Sequence, residues 1–176
     1  MHFKFIAAVC AASLLSGCGA WQAVSDTTVS VARSVFTKQV KVLNIDFKAR
    51  EQLNPDDNQK SLSVVVRVYQ LKDHKTFDSA SYRDLLRNDK SILAGDLLDS
   101  RGLMLLPGTT ASLSQPMQEG TRFIGVAVFF RKTALDTHWR RVLPKKMLSA
   151  DEPLRLELLD SELIVAGDPL SERPAR

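Results

Sequence analysis

The pattern of apolar and polar residues predicts three strong β-strands along the chain. In the segment VKVLNIDFKA (40–49), apolar and polar residues alternate from Leu43 to Lys48, which is typical of a half-buried strand. The segments SLSVVVRVYQL (61–71) and TRFIGVAVFFR (121–131) carry apolar residues on both faces. We therefore expect these two segments to form central strands, each with a neighbour on either side.

Five further segments predict shorter strands separated by turn residues. TTASLSQP (109–116) is polar and ends at Pro116, which lacks a backbone donor, so we expect it at a sheet edge. DSASYRDLLRND (78–89) changes to helical spacing and predicts one short surface helix, with Asp78 or Ser79 as its N-cap. The other four segments that predict strands are DLLDSRGLMLLPG, THWRRVLPK, PLRLELLD and SELIVA. Short strands with Pro and Gly turns predict an all-β fold, a β-sandwich.

The longest polar connection between strong strands is REQLNPDDNQK (50–60). Its centre, Asn-Pro-Asp-Asp-Asn (54–58), combines residues that favour turns. A connection of about a dozen residues is more often functional than a tight turn is. This segment is therefore a candidate binding loop.

The amino terminus has the pattern of an export signal. Residues 1–17 combine one lysine, the apolar run FIAAVCAASLL and small residues, which is typical of a secretory signal peptide. The run is shorter than the roughly 20 residues that a transmembrane helix needs. The following LSGC (15–18) resembles the lipobox of bacterial lipoproteins, which implies cleavage before Cys18 and a lipid on its thiol. The alternative is a conventional signal peptide that leaves Cys18 reduced.

The residues after Cys18 indicate a destination and a tether. In the lipoprotein sorting pattern an Asp after the lipidated cysteine favours the inner membrane, so Gly19 implies the periplasmic face of the outer membrane. Residues 18–38, rich in Ser, Thr, Ala and Val, are predicted to tether a β-sandwich domain spanning 39–167. Residues 168–176 are predicted to form a disordered tail.

Composition and charge exclude several classes of protein. The chain has 24 Lys and Arg against 20 Asp and Glu, but they form no basic stripe, so we expect no nucleic-acid binding. The pairs Arg140-Arg141 and Lys145-Lys146 are interpreted as solvated edges or loops. The two cysteines, Cys10 and Cys18, both precede the body, which excludes a disulfide framework there.

Candidate catalytic and metal-binding residues are few. The histidines of the body, His74 and His138, each lie in a polar context without a partner motif. The acidic pairs Asp56-Asp57 and Asp151-Glu152 stand beside prolines, where carboxylates are mostly turn formers. We therefore expect no enzymatic activity, no metal and no cofactor apart from the covalent lipid on Cys18.

In the order and spacing of its motifs, the whole mature chain resembles the TssJ, or SciN-like, family of lipoproteins of the type VI secretion system. The resemblance rests on the lipobox 15–18 and on the segments VVVRVYQL (64–71), FDSASYRDLL (77–86), LLPG (105–108), IGVAVFFR (124–131) and HWRRV (138–142). It implies a transthyretin-like β-sandwich of two four-stranded sheets with a short helical insertion, and no enzymatic activity.

The resemblance also implies partners. Family members bind the periplasmic carboxy-terminal part of the inner-membrane protein TssM, which, together with TssL, forms the trans-envelope complex. The family's contact loop lies between the first two strands, which corresponds here to residues 50–60, with Gln52, Leu53, Asn54, Pro55, Asp56 and Asp57 at its tip. The alternative function is a periplasm-facing lipoprotein that binds a small ligand or another envelope complex.

Overall fold

The computed structural model describes residues 39–132 and 138–167. The predicted signal peptide 1–17, tether 18–38 and tail 168–176 lie outside the described residues, as do Cys18 and Gly19. The strands are β1 (Val42–Leu53), β2 (Val64–Leu71), β3 (Leu97–Leu105), β4 (Thr110–Pro116), β5 (Phe123–Phe129), β6 (Arg140–Pro144), β7 (Leu154–Asp160) and β8 (Glu162–Val165). The helices are α1 (Lys75–Ser79), α2 (Tyr82–Ile92) and a 3-10 turn (Lys145–Met147).

The strands form two four-stranded sheets, in the orders β4-β1-β7-β8 and β3-β2-β5-β6. Strands β1 and β7 run parallel, and the other neighbouring strands run antiparallel. The predicted sandwich of two four-stranded sheets is confirmed. The central positions predicted for β2 and β5 and the edge position predicted for β4 are confirmed as well.

The main core lies between the two sheets because alternate residues of each strand point inward. Leu43, Ile45 and Phe47 of β1 are at most 1% exposed. They pack in one cluster with the inward residues of β2, β5 and β7. The alternation that predicted β1 as half-buried therefore describes its packing.

The two helices form a second core on the outer face of the β2-β5 sheet. Tyr69 and Leu71 of β2 are fully buried there against Phe77 of α1 and Leu85 of α2. This core explains why β2 and β5 are apolar on both faces. It also explains Gly125, because a Cβ atom there would lie 3.1 Å from the Phe77 ring.

The prediction of one helix over 78–89 is wrong, since α1 and α2 are separated by the extended residue Ala80. The N-cap of α2 is Ser81 rather than Asp78 or Ser79. The Ser81 hydroxyl accepts a hydrogen bond from the Asp84 N–H, and the Asp84 carboxylate accepts one from the Ser81 N–H. This reciprocal capping box fixes the helix start two or three residues later than predicted.

Arg140 lies on the edge strand β6, as interpreted, but its side chain is half-buried and hydrogen-bonded instead of solvated. Its guanidinium donates to the backbone carbonyls of Phe77 at 2.8 Å and Ala80 at 2.6 Å, and to that of Asp78. These carbonyls lie at the end of α1, where helical carbonyls have no partner within the helix. Burial lowers the pKa of Arg140. The hydrogen bonds of its guanidinium hold the end of α1 against β6.

Candidate functional site

The candidate loop lies at one end of the sandwich, which we call the loop end (residues 53–65, 104–109 and 130–132). Here β1 finishes, β2 begins, and β3 and β5 finish beside β2, in the pairs Val64–Leu105 and Val65–Phe129. The turn between β3 and β4 joins the same end because Gly108 N donates to the Arg50 carbonyl at 3.2 Å. Three connections therefore meet around the predicted binding loop.

The predicted start of the loop is wrong, because β1 continues to Leu53. Three exposed polar residues, Arg50, Glu51 and Gln52, interrupt its apolar pattern, and the pairing with β7 shifts register over the same stretch. This irregularity turns three consecutive side chains to solvent, so the end of β1 reads as a loop in the sequence. Gln52 is an exposed strand residue.

Two of the predicted tip residues are buried. Leu53 is fully buried in the main core, and Asn54 is 5% exposed. Neither side chain presents a surface to a partner, so their position at an exposed tip is corrected. The exposed part of the loop is Asp57, Asn58, Gln59 and Lys60, with Pro55 and Asp56 half-buried beside it.

Asn54 is the residue that fixes the loop to the sandwich. Its amide nitrogen donates to the Ser63 carbonyl at 2.9 Å, and its amide oxygen accepts from the Arg131 N–H at 2.6 Å. Its own N–H donates to the Asp160 carbonyl at 2.6 Å. Asn54 has a φ of 48°, a left-handed conformation that Asn tolerates better than most residues. The buried side-chain amide of Asn54 thereby joins the ends of β1 and β5 to the start of β2, and its backbone N–H adds the end of β7.

Asp56 folds the loop upon itself. Its carboxylate accepts hydrogen bonds from the N–H groups of Asn58 at 2.8 Å and Lys60 at 2.9 Å. Its backbone N–H donates to the Lys60 carbonyl at 2.9 Å. The expectation that this carboxylate forms a turn is therefore confirmed. Asp56 shapes the loop from within.

Asp57 holds the loop to the segment that follows β5. Its carboxylate lies 2.6 Å from the Arg131 guanidinium and 2.7 Å from the Lys132 ammonium. Hydrogen bonds from Arg131 and then Lys132, reinforced by their charges, hold the pKa of Asp57 well below its ordinary value. Sequence reasoning missed Arg131 and Lys132, because a basic pair after a strand carries no signal of a partner 74 residues away.

Exposed apolar residues lie beside this charged cluster. Met104 is 64% exposed and Leu106 55% exposed. Met104 pairs with Val65, itself an exposed residue one position into β2. An exposed apolar patch surrounded by polar and charged residues is the usual composition of a protein-binding surface.

The described residues contain no arrangement that points to catalysis. Among them, no group of three His, Cys, Asp or Glu residues is placed to hold a metal ion. His74 contacts the exposed carboxylate of Asp78 and the Phe123 ring, and His138 is exposed. No helix in the described ranges has the length and hydropathy to span a membrane.

Comparisons with known proteins give the family. The family model described as "Type VI secretion lipoprotein, VasD, EvfM, TssJ, VC_A0113" matches residues 41–161. None of the curated proteins compared with the chain matches it.

Solved structures agree with the family model. A chain described as "Type VI membrane complex" is 38% identical, with 72% of this chain and 98% of that chain covered and a TM-score of 0.69. A chain described as "T6SS protein TssM C-terminal domain (869-1107) from EAEC" is 34% identical, with 72% and 98% covered and a TM-score of 0.64. The lipoprotein TssJ1 from Pseudomonas aeruginosa is 27% identical, with 77% and 98% covered and a TM-score of 0.63. The resemblance found in the sequence is confirmed, and the chain belongs to the type VI secretion lipoprotein family that includes TssJ.

Proposed function

We propose that this lipoprotein is anchored by a lipid on Cys18 in the outer membrane, where its loop end binds the periplasmic carboxy-terminal region of TssM. Family membership supports the role, as does the similarity to a chain described as a TssM C-terminal domain structure. In this proposal the protein is a non-enzymatic scaffold, linked to TssL only through TssM.

The observation that carries the choice of surface is the fixed shape of the loop. Asn54 and Asp56 hold its backbone from within, and Asp57 ties it to Arg131 and Lys132. A loop that is already ordered loses little conformational entropy when a partner binds. The exposed residues 57–60 are therefore presented in one conformation.

The position of the loop also suits an anchored protein. β1 has 12 residues and begins at Val42, just after the tether, so its far end lies about 40 Å away at about 3.3 Å per residue. The predicted tether precedes β1 in the chain, so it is the end of the sandwich opposite the loop that follows it directly, and the loop end is left free for a periplasmic partner. A partner that spans the periplasm meets the loop end first, and confinement to the membrane raises its effective concentration.

The test is charge reversal of the exposed acid of the loop. Asp57→Lys removes both ion pairs and places a third cation beside Arg131 and Lys132. Because close like charges repel by several kcal/mol, we expect the loop to be displaced and affinity for the TssM periplasmic region to fall at least about tenfold. Glu152→Lys is the matched control, an exposed acid in a turn at the opposite end of the sandwich. Equal affinities of both variants and the unmodified protein would remove the loop from the proposal.

The anchor is tested separately. Metabolic labelling with palmitate, followed by membrane fractionation, measures whether the chain is lipidated and in which membrane it resides. We expect label in the outer-membrane fraction, and none when Cys18 is replaced by Ser. Label that persists in Cys18→Ser contradicts the anchor site, and inner-membrane label contradicts the role of Gly19.

A further inference from the structure

The end of the sandwich opposite the loop, which we call the base (residues 40–42, 71–73, 116–123 and 144–155), carries a group of basic residues. Its connections are joined by backbone hydrogen bonds: Lys145 N donates to the Arg122 carbonyl at 2.8 Å, and Arg122 N donates to the Leu71 carbonyl at 2.9 Å. Met117 N donates to the Lys41 carbonyl at 2.9 Å. The basic residues of the base are Lys41, Lys72, Arg122, Lys145, Lys146 and Arg155.

Arg131 and Lys132 of the loop end both pair with Asp57, which distinguishes them from these six side chains. None of the six forms an ion pair with another residue in the described ranges. The acids Asp73 and Asp96 near Lys72 accept hydrogen bonds from Lys75 N and Thr76 Oγ1. Glu119, Asp151 and Glu152 are the remaining exposed acids of the base, so it carries an excess of positive charge.

An exposed apolar residue stands among these cations. Met147 is 70% exposed and ends the 3-10 turn that begins with Lys145 and Lys146. Beside it lies a cleft of about 370 Å³ between the start of β1 and the start of β7. Met147 forms part of its apolar lining, with Val42, Leu148 and Leu154.

We infer that the base is a membrane-contact surface, in which the lysines bind anionic lipid headgroups and Met147 enters the headgroup layer. The inference rests on the proposed anchoring through Cys18, since the tether joins the body at the base. An apolar tip flanked by lysines fits the interface of a bilayer, because the lysine heads reach phosphates while the apolar atoms leave water. Each basic residue near an anionic surface adds favourable energy, so an unpaired group suits this contact.

The test measures binding of the unacylated mature chain, residue 18 onward with Cys18→Ser, to sedimented lipid vesicles. Without acyl chains, any binding comes from the protein surface, so the result does not depend on lipidation. We expect binding to phosphatidylcholine vesicles containing one-third phosphatidylglycerol, release by high salt, and little binding to pure phosphatidylcholine. Absence of binding to the anionic vesicles, or equal binding to both kinds, overturns the inference.

Variants identify the surface. The double variant Lys145→Glu/Lys146→Glu should lower the partition coefficient by at least about 25-fold, at about fivefold for each basic residue. The matched control is Arg83→Glu/Arg87→Glu, which makes the same charge change on α2. Equal loss in both variants would mean that only net charge matters and would contradict a specific base. Affinity for the TssM region reports on the proposed function independently, and we expect both double variants to retain it.

Discussion

The two ends of the sandwich share a buried side-chain amide but differ in the charges at their surfaces. Each is held by one buried amide, Asn54 at the loop end and Gln70 next to the base. The Gln70 side chain bonds to Pro116 O, Gln118 N and Thr121 Oγ1. Above Asn54 the exposed acid Asp57 is paired with Arg131 and Lys132, whereas the six cations of the base have no ion pair with an acid in the part of the chain that the structure describes. Paired charges fix a shape for a protein partner, and unpaired cations are available to an anionic surface.

The largest expected effect is a loss of stability in variants of the two buried amides, Asn54 and Gln70. Asn54→Ala and Gln70→Ala each remove two hydrogen bonds to part-buried backbone groups, at about 0.5–1.5 kcal/mol per bond, so both should lower the free energy of unfolding by about 1–3 kcal/mol. Urea denaturation measures this loss. Only Asn54→Ala should also weaken TssM binding, since only Asn54 shapes the loop. Equal weakening in both variants would indicate that general destabilisation is responsible.

A smaller effect is expected when the ion pairs of Asp57 are removed without charge reversal. Asp57→Asn keeps the size of the side chain but loses the ion pairs with Arg131 and Lys132. We expect affinity for the TssM region to fall about two- to fivefold, within the range of exposed ion pairs. Isothermal titration calorimetry measures it, with Glu152→Gln at the base as the control. A loss as large as that of Asp57→Lys would mean that Asp57 contacts the partner directly.

The smallest effect concerns pH. The pKa of Asp57 lies below its ordinary value of 3.8, so the stabilisation it provides is complete above pH 3.8 and is lost only as the pH falls through the lower, folded value. The ion pairs of Asp57 with Arg131 and Lys132 should therefore be unchanged between pH 7 and pH 5. An NMR titration of the Asp57 carboxyl carbon measures the midpoint. A midpoint at or above 3.8 would show that the ion pairs do not form in solution.

The parts of this fold that the sequence predicts are those with a local signature. Period two in β1 and two apolar faces in β2 and β5 come from packing that repeats along the strand itself. The sequence predicts the end of β1 too early because the register shift exposes three polar residues in a row. The start of α2 was misjudged because Asp78, Ser79 and Ser81 are all acceptable caps, and tertiary packing of Phe77 and Ala80 decides among them.

The candidate site was predictable only in outline. The composition of 54–58 indicates a loop, but the burial of Asn54 depends on Ser63, Arg131 and Asp160, which no local pattern connects to it. The base gave even less signal, because its cations come from four separate segments of the chain. Contacts between distant segments are decided by topology, which hydrophobic periodicity does not encode.

Two exposed methionines allow the most direct test of the claim that the ends have different partners. Met104 at the loop end is 64% exposed, and Met147 at the base is 70% exposed. Aspartate at each position makes the same chemical change on opposite ends. The measurement is the affinity of the TssM periplasmic region for the two variants, with the unmodified protein alongside. The account predicts at least about a tenfold loss for Met104→Asp, the scale of an interface hot spot, and no change for Met147→Asp. Unchanged affinity in Met104→Asp together with a loss in Met147→Asp would contradict it.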